Sequence, residues 1–253
     1  MLSDRIRSMT APHWLLLFAG IVAAWFALYM MSVSTELRSL SAVYGAEFWS
    51  QLCVVTPDAA GFLRVFLMWV LMSAAMMAPT VLPTLATYEE LGQSGATTRF
   101  SRLIGGYFAV WLGFSVVAAA LQIAFYHFGI IDALGQSGSR WFSAGMLAIA
   151  GLYQFSPVKD ACLDKCRSPM MFFMSHWDDG PWKNGLRLGL VCLGCCWALM
   201  LLAFVGGVMN LAFMGLATVI MVVEKLPDLG RFVTRPLGGA LIAASLTVGL
   251  GLI

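Results

Sequence analysis

From Leu186 to Val223 the chain carries a single charge, Arg187. As one α-helix this run is about 57 Å long at 1.5 Å per residue, nearly twice the bilayer's hydrocarbon core of about 30 Å. It has to break, and Gly206, Gly207 and Asn210 supply turn chemistry near its middle. Apolar stretches elsewhere extend the pattern, giving spans at about 14–31, 62–83, 103–125, 141–157, 186–205, 208–223 and 237–253. The last two are short and leave little room for tilt. No Ala-x-Ala cleavage site follows the first run, so it reads as a retained span and not a signal peptide. The expectation is an all-α membrane protein: a single domain over residues 1–253, built as a bundle of about seven transmembrane helices.

Composition agrees. Only 11% of the 253 residues are charged and mean hydropathy is +0.84, where a soluble domain is about 25% charged. A net charge of +2 is too small to drive phosphate neutralisation, which excludes a nucleic-acid binder. The placement of the cations sets the orientation. With the N-terminus inside, the inner segments hold Arg5, Arg7, Arg99, Arg102, Lys159, Lys165, Arg167, Lys183, Arg187, Lys225, Arg231 and Arg235, and the outer ones Arg38, Arg64 and Arg140. That alternation is what the positive-inside rule asks of seven spans, N-terminus cytoplasmic and C-terminus periplasmic. The lipid bilayer is then the first partner, and the bacterial inner membrane the expected location. Between Ser34 and Gly61, Leu37, Leu40, Val43, Tyr44, Phe48, Trp49 and Leu52 recur at helical spacing, predicting an amphipathic helix on the outer surface.

The expected span interiors hold no carboxylate, which speaks against proton-coupled transport. Glu224 and Lys225 close the sixth span, where they can pair with each other or with loop charges. No phosphate-binding loop, nucleophile elbow or zinc-protease motif occurs. The pattern favours binding over catalysis.

Sulfur is where the chain is distinctive. Cys192, Cys195 and Cys196 lie within the fifth span at spacings of three and four, on one helix face. Cys162 and Cys166, at i and i+4, follow the fourth span on the inner side, and Cys53 is in the outer loop. A disulfide framework does not suit thiols on the reducing side. In the second span Met68, Met72 and Met76 form a stripe, followed by Met77. Met76 lies about 12 Å from an inner end near Thr84, while Cys192 and Cys196 lie about 10 and 16 Å from Gly185. Thiols and thioethers therefore share one level. Clustered soft ligands in an apolar interior select Cu(I). Zinc fits less well, since it wants four closed ligands that commonly include histidine, and no histidine is in mid-span. The methionine stripe taken alone reads as gap-filling packing before ligation.

Several stretches are diagnostic together: Met-Met-Ala-Pro at 76–79, Tyr-Gln-Phe-Ser-Pro-Val-Lys-Asp-Ala-Cys-Leu-Asp-Lys-Cys-Arg-Ser-Pro at 153–169, Cys-Leu-Gly-Cys-Cys-Trp-Ala-Leu-Met at 192–200, and Glu224-Lys225. From about residue 60 to its end the chain resembles the bacterial predicted metal-binding integral membrane proteins, a domain family of unknown function. Cys162, Cys166, Cys192, Cys195 and Cys196 stand where that family's motifs have them. The resemblance implies a multi-span inner-membrane protein that binds metal, with no established reaction.

The first reading is an integral membrane protein binding Cu(I) for handling, delivery or passage. Cys192, Cys195 and Cys196 form the buried site, Met72 and Met76 complete it, and Cys162 and Cys166 are the cytoplasmic way in or out, their thiols acidified by Lys165 and Arg167. Arg187 adds a favourable field on the inner side. A metal chaperone or a membrane-complex partner is implied. Two rivals stay open: an accessory subunit of a larger complex, suggested by Gly185 and Gly189 in Gly-x-x-x-Gly spacing, and a membrane thiol–disulfide carrier.

Overall fold

The computed structural model describes residues 12–32, 58–93, 99–133 and 135–252. Cys53 and nearly all of the expected outer-surface helix lie outside them. Apart from an isolated bridge between Ile131 and Ser137, the regular structure of the described residues is helical: α1 (Pro12–Ser32), α2 (Ala59–Gln93), α3 (Phe100–His127), α4 (Arg140–Tyr153), α5 (Pro157–Arg167), α6 (Pro169–His176), a 3₁₀ turn at Trp177–Asp179, α7 (Pro181–Leu201), a single turn at Ala203–Gly206, α8 (Leu211–Glu224) and α9 (Gly230–Gly249). Among the described residues five helices are long and apolar enough to cross a membrane: α1, α2, α3, α9, and α7 with the turn that follows it. Two expected spans form shorter helices. α4 stops at Tyr153 because Ser156 and Pro157 start a new helix, the serine hydroxyl accepting from the Val158 amide. α8 begins where Gly207 takes φ +89 and Asn210 caps the helix, its side chain accepting from Phe213 N at 3.1 Å.

Side-chain contacts give the helix directions. α1 runs antiparallel to α2, since Trp14 meets Glu89 and Trp25 meets Ala75. α2 runs antiparallel to α3 through Met77 with Tyr107, Ser73 with Ser115 and Trp69 with Gln122. α7 lies parallel to α3: a Cβ at Gly185 would overlap the Leu103 carbonyl, and one at Gly189 would meet Val110 at 2.8 Å. The small-residue pair is thus used inside the chain, letting two helix backbones touch, and is not spare surface for another subunit. α4 packs antiparallel on α9, Gly151 against Ile242 and Ser245 against Ala144.

Prolines within α2 are managed by neighbours. Pro79 has no N–H, so the Ala75 carbonyl four residues earlier has no helical donor. The Trp25 indole of α1 fills that place at 3.0 Å. At the other end of the bundle Trp69, Phe114, Phe125 and Phe204 form a ring cluster, and the Trp69 indole donates to Gln122 Oε1 at 2.7 Å.

Candidate metal centre

Cys192, Cys195 and Cys196 are free and buried, and their sulfurs all lie within 4.8 Å of one another. The helical spacing puts them there: one turn of α7 carries all three. Cys195 Sγ lies 3.2 Å from Cys196 Sγ and donates to the Cys192 carbonyl at 3.1 Å. A metal bonded to three sulfurs at about 2.3 Å needs them about 4 Å apart, so the cluster is compact enough to close on one ion with small rotamer shifts. Among the described residues no other His, Cys, Asp and Glu side chains form such a cluster.

Around Cys192 is a polar ring in an otherwise apolar interior. The Lys225 ammonium, just past the end of α8, donates to Cys192 Sγ at 2.9 Å and to Thr80 Oγ1 at 2.7 Å. The Tyr107 hydroxyl donates to the Met77 carbonyl at 3.1 Å and lies 3.1 Å from Cys192 Sγ. Thr80 Oγ1 itself is 3.9 Å from that sulfur. Thr80, Tyr107 and Lys225 therefore complete the site, and none of them stood out in the sequence as a site residue. The signal available was a hydroxyl or cation at the margin of an apolar run, which by itself is common.

Glu224 is buried, 1% exposed, and its carboxylate takes both Lys159 Nζ contacts, at 2.9 and 3.0 Å. The expectation that Glu224 and Lys225 pair with each other or with loop charges holds for Glu224, which takes Lys159 from the segment after the expected fourth span, while Lys225 turns to Thr80 and Cys192. Ion pairs of this kind persist in dry surroundings only when both partners are matched. Arg167 adds a hydrogen bond from Nε to the Glu224 carbonyl at 2.9 Å. It is thus committed to the backbone and does not serve the thiols. Arg187 pairs with Asp179 at the protein surface, so the cation at the thiol site is Lys225, not Arg187.

The contact of Thr80 with Cys192 fixes the register of α2 against α7. Met76 is one turn from Thr80, Cys196 is one turn from Cys192, and the helices are antiparallel, so Met76 and Cys196 occupy the same layer. Met72 and Met200 occupy the next. All four are buried. α7 packs chiefly on α3 and α5, and it reaches α2 through side chains rather than backbone contact. Cys162 and Cys166 share a face of α5, not of an extended fourth span. They differ in setting: Cys166 lines a cleft together with Thr80 and Lys225, while a Cβ at Gly194 would lie 2.6 Å from the Cys162 sulfur, which is pressed against the side of α7. Burial pushes the Cys162 thiol up, outweighing the pull of Lys165, which reverses the expected acidification at that position.

A family described as PpoB2: Copper chaperone matches residues 66–248. That is well over half of the chain, and the chain belongs to this family. No curated protein and no solved structure matches it. The matched range contains every residue of the thiol site and its polar ring.

Proposed function

We propose that this chain is a seven-pass membrane protein that binds Cu(I) through Cys192, Cys195 and Cys196 and hands it on. The observation that carries the reading is the set of three buried, free thiols within 4.8 Å of one another, in a chain whose family is described as a copper chaperone. Thioether layers at Met76 and Met72 extend the soft surroundings. Zinc is disfavoured by the donor set. His13 pairs with Glu89 and His176 with Ser175 and the Phe172 carbonyl, so neither serves as a fourth ligand.

The membrane part of the reading is supported by five helices of spanning length and by pair directions that alternate as seven passes would. Residues near Glu89 and Trp14 would mark the cytoplasmic edge, with Thr80 about 14 Å deeper at 1.5 Å per residue. The bacterial inner membrane, N-terminus in the cytoplasm, is the proposed location. A donor chaperone or a membrane-complex partner is the proposed recipient or source. An impermeant thiol reagent on spheroplasts should spare Cys162 and Cys166, and labelling of either from outside overturns the orientation.

Metal analysis of reduced, purified protein tests the function. Wild type should retain Cu(I) through a desalting column, and the Cys192→Ser, Cys195→Ser, Cys196→Ser triple variant should retain none. Equal retention in the two proteins, or none in wild type, removes the copper reading.

A further inference from the structure

The three clustered thiols are sealed from the surface, each about 1% exposed, so the metal needs a route to them. A cleft of about 420 Å³ opens between α1, α2 and the α5–α6 corner. Its apolar walls include Trp14, Phe18 and Ala86, and Thr80, Lys225 and Cys166 also line it. Thr80 and Lys225 both contact Cys192. Cys166 is the one cysteine on the cleft wall. The cleft wall therefore carries Cys166 together with two groups that touch the buried cluster. Cys162 is off it, against Gly194.

Resting on the copper reading, we propose that this cleft is a binding site for Cu(I) carried by a small-molecule thiol, and that Cys166 is the thiol that takes the ion from the carrier and passes it to the buried thiol cluster. The volume falls in the range of small-ligand pockets, about 300–1,000 Å³, and is far too small for a folded domain. The Lys225 ammonium on its wall suits an anionic Cu(I)–thiolate complex. In the first exchange a Cu–S bond to Cys166 forms and one Cu–S bond to the carrier breaks. The Cys166 thiol proton leaves with the departing carrier thiolate. In the second, a cluster thiol replaces Cys166 on the ion and its proton returns to Cys166; the Cys192 thiolate then forms the second Cu–S bond as the last Cu–S bond to the carrier breaks, releasing the carrier thiolate. Copper remains Cu(I) in both steps and no electron is transferred. Serial exchange of this kind avoids releasing the ion into an apolar interior, where a bare charge is very costly.

The test uses full-length, reduced protein in detergent micelles and Cu(I)–glutathione as donor. The rise of ultraviolet Cu(I)–thiolate absorption gives the loading rate, and metal analysis gives the endpoint. Cys166→Ser should load at least 10-fold more slowly than wild type and reach the same endpoint. Ala86→Phe, which fills the cleft and leaves every sulfur in place, should do the same. Cys162→Ser should load at the wild-type rate. Wild-type loading rates in both Cys166→Ser and Ala86→Phe overturn the route and leave the copper site standing. A slow Cys162→Ser with a fast Cys166→Ser also overturns it. A wild type that takes up no copper at all overturns the copper reading and this one with it.

Discussion

The Lys225 ammonium sits 2.9 Å from the Cys192 sulfur, a fixed positive charge against the first thiol of the cluster. A Cu(I) ion held by two thiolates has a net charge of −1, which in dry surroundings demands a counter-charge. Lys225→Met should therefore weaken Cu(I) binding by about 10- to 100-fold, the range of about 1.5–3 kcal/mol for a hydrogen bond to a charged group. Competition against a Cu(I) chelator measures it. Lys225→Arg should recover part of the loss, and unchanged affinity in the methionine variant refutes the role.

Breaking the buried Lys159–Glu224 pair leaves one charge unmatched. Glu224→Gln or Lys159→Met should each destabilise the fold by about 3–5 kcal/mol, seen as lowered thermal midpoints in detergent. The Lys159→Met, Glu224→Met double variant should regain most of that stability, because a matched apolar pair has no stranded charge. A double variant as unstable as the sum of the singles contradicts the pairing.

The α3–α7 contact has no room for one methyl group. Gly185→Ala places a carbon onto the Leu103 carbonyl, and overpacking of this kind costs about 1–3 kcal/mol where neighbours can yield. Backbone yields less than side chains, so the loss should lie at the upper end. Gly20→Ala meets nothing within 4 Å and should be neutral or slightly stabilising, as alanine is in a helix. Equal melting behaviour of the two variants removes the close-packing argument.

Trp25 and Pro79 form a mutual compensation. Trp25→Phe removes the donor to the Ala75 carbonyl and should cost about 1–3 kcal/mol for a stranded buried acceptor. Pro79→Ala restores the helix's own N–H for that carbonyl. The tryptophan change should therefore be milder in the Pro79→Ala background, and a double-mutant cycle showing no coupling rejects the compensation.

Much of this was legible in the chain itself, for reasons that are local. The thiol face of α7 follows from spacings of three and four, and the long apolar helices follow from uninterrupted hydropathy. The ends were less visible. α2 continues to Gln93, well past Pro83, because a proline with bonded neighbours bends a helix without ending it. α7 starts at Pro181, five residues before the apolar run, since Trp182 and Gly185 pack on α3 although the segment as a whole is not hydrophobic. The polar ring could not be read from the sequence. Lys225 and Cys192 are 33 residues apart, and Lys159 and Glu224 are 65 apart. Nothing in the local pattern of a charge at the end of an apolar run says which distant group it will meet.

The lone ammonium at the thiol cluster also bears on voltage. Lys159 and Glu224 cancel each other, and among the described residues Lys225 is the charge in contact with the thiols. Lys225 with one thiolate is neutral, and Lys225 with Cu(I) between two thiolates is neutral as well. Moving between those two states trades one Cu(I) for one proton and displaces no net charge. A membrane potential worth about 2.3 kcal/mol per elementary charge per 100 mV has nothing to act on in that trade. Filling and emptying would then follow the copper and proton concentrations on the side where the site opens, regardless of how strongly the membrane is energised.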